Sequence, residues 1–163
     1  MDRAIIDKYE AGGAKLRQAV VNLTREDLLC KPAADADPSV GKWSIQQVLI
    51  HLMDADLIAI DRMKRIIAME NPLLVGFDEN LFISKLMPEE QSAQDAVTIL
   101  DLAYKNFGRV LRKLPEETFK RIGTHNERGV TTLGEYLQYM VNHFDHHLKF
   151  IHAKRAKMGK EMW

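Results

Sequence analysis

The chain has 163 residues, room for one compact domain with a sizeable core, and 46% of them are apolar, which excludes a disordered segment. Its 23 basic and 23 acidic side chains balance, so no nucleic-acid partner held by bulk charge is expected, because neutralising phosphates needs a basic face. No apolar run reaches the length of a spanning helix and the start M-D-R-A-I-I-D-K has no secretory apolar core, so a cytoplasmic protein with no membrane contact is expected.

In chain order, Ile6, Tyr9, Gly13, Leu16, Val20 and Leu23 follow alternating steps of three and four. Such steps keep side chains on one stripe of a helix, which must be buried against other helices. Cys30 is the only cysteine; it rules out an internal disulfide or a thiolate metal cluster and reads as a small, semi-buried side chain. Pro38 and Gly41 punctuate the chain before a second helix, where Ser44 and Gln47 read as a capping box and Ile45, Val48, Leu52 and Ala55 as the stripe. Trp43 is expected to anchor that helix start in the core.

Residues 70–91, E-N-P-L-L-V-G-F-D-E-N-L-F-I-S-K-L-M-P-E-E-Q, are too apolar for a floppy loop and read as a packed crossover or short helix over one end of a bundle. The third helix carries Val97, Leu100, Tyr104, Phe107, Leu111 and Leu114 on its stripe. A second long connection spans residues 115–131 and includes His125. Thr132 and Glu135 form another capping box, followed by Leu133, Leu137, Met140, Phe144, His147 and Ile151. No stretch alternates with period two, so strands are not expected. The architecture implied is all-α, a four-helix bundle with two long connections. Lys149, Lys154, Arg155, Lys157 and Lys160 gather at the end of the last helix, where cations oppose the dipole and stay solvated.

Four of the six histidines lie in N-H-F-D-H-H-L-K-F-I-H, residues 142–152. His147 takes a stripe position between Phe144 and Ile151. His143 lies one turn earlier and about 40° around the helix, so the two rings project from one face. His146, about 100° away from His147, does not share it, and His152 belongs to the polar side. His51 falls on the flank of the second helix's stripe. A lone histidine at such a place is more often a satisfied core residue than a ligand, and a pair four apart is often a surface accident. Three inward imidazoles on two helices need something to bond to. Three protein nitrogens with open positions are the pattern of a catalytic rather than a structural metal.

The stretch G-K-W-S-I-Q-Q-V-L-I-H-L-M-D-A-D, residues 41–56, resembles the second-helix motif of the DinB/YfiT-like superfamily. Residues 124–151, T-H-N-E-R-G-V-T-T-L-G-E-Y-L-Q-Y-M-V-N-H-F-D-H-H-L-K-F-I, resemble its last-helix segment. The resemblance covers nearly the whole chain in helix order. It implies a single DinB-like domain over residues 1–163, with a divalent metal held by His51, His143 and His147. It also implies a metal-dependent hydrolase or a thiol S-transferase using a low-molecular-weight thiol. Phe144 stands where many relatives carry an acid, which leaves the usual partner of a ligand histidine missing.

Zinc or nickel is the first expectation for neutral imidazole ligands. Asp54, three residues after His51, and His125 are the candidate acid–base residues, whereas Asp56 reads as solvated. Arg62 could meet a substrate carboxylate, or an acid on a neighbouring helix; the second is the plainer reading. The substrate expected is a small molecule, and the assembly a homodimer. The alternative is a non-catalytic metal-binding or stress-associated bundle.

Overall fold

A computed structural model describes residues 3–33 and 37–161. The first heptad segment forms α1 (Ala4–Glu10) and α2 (Gly12–Ala19), joined through Ala11, whose φ of −70° and ψ of −14° are themselves helical. A short α3 (Arg25–Leu29) follows, started by a Thr24–Asp27 capping box. The long α4 (Ile45–Ala68) begins at Ser44, whose hydroxyl accepts from the Gln47 N–H while the Gln47 side chain accepts from the Ser44 N–H. The crossover contains β1 (Leu73–Leu74) and α5 (Glu79–Lys85). Then come α6 (Ala93–Lys113), a hairpin of β2 (Ile122–His125) and β3 (Gly129–Thr132), and α7 (Leu133–Lys157), capped by Thr132 and Glu135.

The stripe residues named from the sequence make the core. Ile6, Leu16, Leu52, Leu100, Leu111 and Leu137 are all buried in one apolar cluster where α4 packs on α6 and α7 and the first helix packs on α6. Each large apolar side chain buried there contributes roughly 1.5–3 kcal/mol. The stripe tolerates a glycine at position 13 for a steric reason: a Cβ there would lie 2.4 Å from the Asp101 Cα, so the two helices touch backbone to backbone.

Three expectations are corrected. Strands do exist: β1 pairs in parallel with β2 and β2 antiparallel with β3, in the order β1-β2-β3. Segments of two to four residues are too short to show an alternation, and Leu74 meets its partner His125 only after the chain has folded. Cys30 is exposed at the end of α3. The terminal basic cluster is not wholly solvated. Lys154 and Arg155 are buried; Lys154 donates to the Val40 carbonyl, and Arg155 to the carbonyls of Ala19 and Val21 at the end of α2. No helix among the described residues is long and apolar enough to cross a membrane.

The connections are held to the bundle by polar contacts. Gln46 donates to the Pro88 carbonyl at 3.0 Å and Gln47 to the Glu89 carboxylate at 2.9 Å. Arg121 donates its Nε–H to the Ile66 carbonyl at the end of α4. The crossover and the hairpin thereby come to line the same cavity beside α4 and α7.

Candidate metal centre

His51 projects from α4 about two turns past its capped start, and His143 and His147 project from α7 one turn apart. Their Nε2 atoms converge: His51 to His143 is 3.3 Å, His51 to His147 is 3.2 Å, and His143 to His147 is 3.2 Å. The helix packing places them there, since all three rings lie at the contact of α4 with α7.

Burial depresses the basicity of all three. His51 is pushed down to about 4 by burial and then by His143, and His143 to about 4 by burial and then by His146 and Arg128. His147 falls further, through burial and then the other two rings. All three are therefore neutral at pH 7, with a lone pair available on each ring. Three neutral imidazoles cannot satisfy one another at a single point, because a ring N–H donates to one neighbour only and a bare nitrogen only accepts. One cation accepts all three lone pairs. Nitrogens bound tetrahedrally at about 2.0–2.1 Å stand roughly 3.3 Å apart, which matches the observed triangle. The residues present thus fit a single ion with three nitrogen ligands.

The surroundings are aromatic and polar. Trp43, half-buried rather than deep in the core, has its ring 4.9 Å from that of His51 and stacks parallel to His147 at 6.3 Å. The Nδ1 atoms of His143 and His147 are buried and have no partner among the described residues. The position where an acid was missing is filled by Phe144, buried against Tyr104, and Asp145 turns away to Lys15 at 3.7 Å.

A cavity of about 200 Å3 opens on one side of the triangle, lined by His51, His143, Arg62, Glu79, His125 and Tyr136 among others. A second, of about 470 Å3, adjoins it, with Trp43, His146, His147 and Phe150 in its wall. Glu79 and Arg128 border both. The nearest acid is Glu79, at the first turn of α5, whose Oε2 is 3.7 Å from His51 Nε2. Because His51 is neutral, this is a close carboxylate rather than an ion pair.

The structure brings His125 to the site and leaves Asp54 aside. His125 is the last residue of β2, not a loop residue, and is only 4% exposed. Its Nδ1 accepts from the Glu127 N–H at 3.2 Å, so the ring proton sits on Nε2. Burial, followed by Arg62 and Arg128, lowers its pKa and keeps it neutral. Asp54 is half-buried and lines neither cavity; burial raises its pKa. Asp56 is not solvated. It is 1% exposed and faces Tyr104 on the opposite flank of α4, where burial pushes its pKa up to about 7. Five residues beyond His51 puts it about 140° around the helix, facing the bundle's other seam. Arg62 is buried and pairs with no acid among the described residues: it donates to the Tyr136 hydroxyl at 2.9 Å and to the Val75 carbonyl. Sequence reading missed Glu79, Tyr136 and Arg128, and the apolar character of the crossover was the one signal that this segment packs over the bundle.

Fold and site together define a helical-bundle protein with a three-histidine centre suited to one divalent ion. The model of the DinB superfamily matches residues 8–151, and the chain belongs to that family. It is 27% identical over 136 residues to a protein of Oceanobacillus iheyensis, covering 83% of this chain and 75% of that one. It is 27% identical over 155 residues to YfiT of Bacillus subtilis, covering 94% and 84%. Both carry the provisional name of metal-dependent hydrolase. The solved structure of YfiT, described as having an unusual four-helix bundle topology, superposes with a TM-score of 0.85 over 96% of this chain and 86% of that one.

Proposed function

We propose that the protein is a metal-dependent enzyme acting on a small molecule, with His51, His143 and His147 as ligands of a divalent ion, zinc or nickel first. The observation that carries this reading is the triangle of Nε2 atoms at 3.2–3.3 Å, supported by the names of the relatives. An ion held there would supply a Lewis acid and would lower the pKa of a water or thiol entering its open position. The remaining roles belong to side chains. Glu79 takes the proton of the incoming nucleophile, water for hydrolysis or a low-molecular-weight thiol for transfer. His125 offers its Nε2–H to the substrate, and Asp54, one turn from His51 but outside both cavities, is the alternative base. Trp43 and Tyr139 wall the site.

The test is metal content of tag-free protein, alongside turnover of two probes: hydrolysis of 4-nitrophenyl acetate, and transfer of the cysteine thiol to monochlorobimane with release of chloride. About one ion per chain and turnover of either probe, both lost in His51→Ala and His147→Ala, support the reading. Tight metal binding with no turnover would favour a non-catalytic bundle. Absence of any bound ion after incubation with zinc, nickel or manganese would sink it. The reading includes a homodimer, for which the exposed Ile99, Leu102 and Val110 of α6 offer an apolar face; light scattering checks it.

A further inference from the structure

Arg62 is the unusual group in this molecule. An arginine that is 8% exposed as a residue has given up much of its hydration, and that loss is normally offset by a carboxylate. None is within ion-pair distance among the described residues. Two of its five N–H groups are used, on Tyr136 and Val75, and its Nε is buried without a partner. Arg155 is also buried without an acid, but it closes the carbonyls at the end of α2 and borders neither cavity. Arg62 borders the cavity of about 200 Å3 beside the histidine triangle.

A second donor stands in the same wall. The backbone N–H of Glu127 occupies Nδ1 of His125, which leaves the Nε2–H of a buried ring with no described partner. Arg62 and His125 are near enough for the guanidinium to act on the imidazole's basicity.

We infer that Arg62 and His125 form an anion subsite, which holds the carboxylate of a small substrate while its reacting end lies against His51 and His143. The proposal deepens the enzymatic reading and names its substrate class: small molecules bearing one carboxylate. Arg62 and Arg128 share the wall with Glu79 and Glu127, so the side chains of the lining supply no net positive charge of their own and the two carboxylates repel a phosphate dianion more than a monoanion, while the charge of a bound ion acts on both ligands. The planar fork of arginine also matches a carboxylate in two-point contact. The cavity has room for a ligand of small aromatic or short aliphatic size.

The test compares a charged ligand with its neutral isostere on the zinc-loaded protein. Phenylacetate, phenylacetamide and inorganic phosphate are titrated by calorimetry into wild type and Arg62→Gln, with metal content recorded for each. Phenylacetate is expected to bind at least about tenfold more tightly than phenylacetamide to wild type, and this preference to fall about tenfold in Arg62→Gln at unchanged metal content. The metal also attracts anions, so a preference that survives in Arg62→Gln overturns the proposal. So does equal binding of acid and amide to wild type, and phosphate binding more tightly than phenylacetate through Arg62 overturns the carboxylate assignment. If Arg62→Gln does not fold, the NMR signal of the Arg62 Nε–H in wild type decides: it moves with phenylacetate and not with phenylacetamide, or the subsite does not exist. A chain that holds no metal yet keeps the Arg62-dependent preference refutes the metalloenzyme reading alone. One that holds its ion without the preference refutes the subsite alone.

Discussion

His51 on α4 and His147 on α7 bring their Nε2 atoms to 3.2 Å although they stand 96 positions apart in sequence. The contact depends on the two long helices packing with their inward stripes in register, and His143 completes it from one turn away. The histidine triangle is therefore a product of the same apolar packing that holds the bundle together.

Removing any one corner leaves two nitrogens and a cavity. His51→Ala, His143→Ala and His147→Ala are each expected to weaken zinc binding at least about a hundredfold while the chain stays folded, since binding needs the full set of deprotonated ligands. Equilibrium dialysis with metal quantified by mass spectrometry, beside circular dichroism, measures both. Full retention of zinc in His51→Ala would refute the shared site.

Glu79 borders both cavities and contributes nothing to the core. Glu79→Gln should leave the metal content and the melting temperature as in wild type and lower turnover of whichever probe is active by about 10²–10⁴-fold, the usual worth of a positioned base. Asp54→Asn is expected to have a smaller effect, because its side chain lines neither cavity. Equal losses in the two variants would place the base at Asp54 as well.

Asp56 makes stability depend on pH in an unusual direction. Burial raises its folded pKa from 3.8 to about 7, so between about pH 4 and 7 the folded state holds a proton that the unfolded state has released. Stability contributed by that carboxyl is therefore full in acid and declines as pH rises through this window. Asp56→Asn should be more stable than wild type at pH 8 by roughly 2–4 kcal/mol, with a flatter profile across the window. Urea melts at pH 5 and 8 test this, and a larger gain at pH 5 than at pH 8 would reverse the assignment.

The three histidines act in the opposite sense. Their folded pKa values lie below the ordinary 6.5, so in metal-free protein they stabilise the fold above about pH 6.5 and that contribution is lost as pH falls towards 4. Acidification from pH 7 to below 4 should also release bound zinc, because protons then compete for the same lone pairs. A zinc stoichiometry independent of pH over that range would argue against imidazole ligation.

Gly13 tests the bundle itself. Its missing side chain allows the backbone approach to Asp101, and Gly13→Ala is expected to cost about 1–3 kcal/mol through overpacking, in spite of alanine's better helix propensity. A melting temperature equal to or above wild type would show that the helices separate at little cost.

Much of this protein is legible in its linear pattern, for identifiable reasons. Steps of three and four mark the buried stripes, and the Ser44–Gln47 and Thr132–Glu135 capping boxes mark the starts of the two helices that carry the ligands, because both signals are made by neighbours in sequence. His147 in an apolar stripe and His143 one turn before it were visible in the same way. The hairpin and β1 were not, since strands of two to four residues are defined by their partners. Asp56 and Arg62 were misjudged because a charged residue on a long helix gives no sign of which seam it will face.

The sequence by itself determined the four heptad stripes and their inward faces, which follow from local periodicity and helix geometry, while the set of three converging imidazoles came from the family resemblance. Only the tertiary structure decided what stands around them. Glu79 from the crossover, His125 from β2 and Arg62 from α4 meet at one cavity because distant segments pack and pair there. The burial that keeps the histidines neutral and leaves Arg62 without an acid belongs to the folded chain alone.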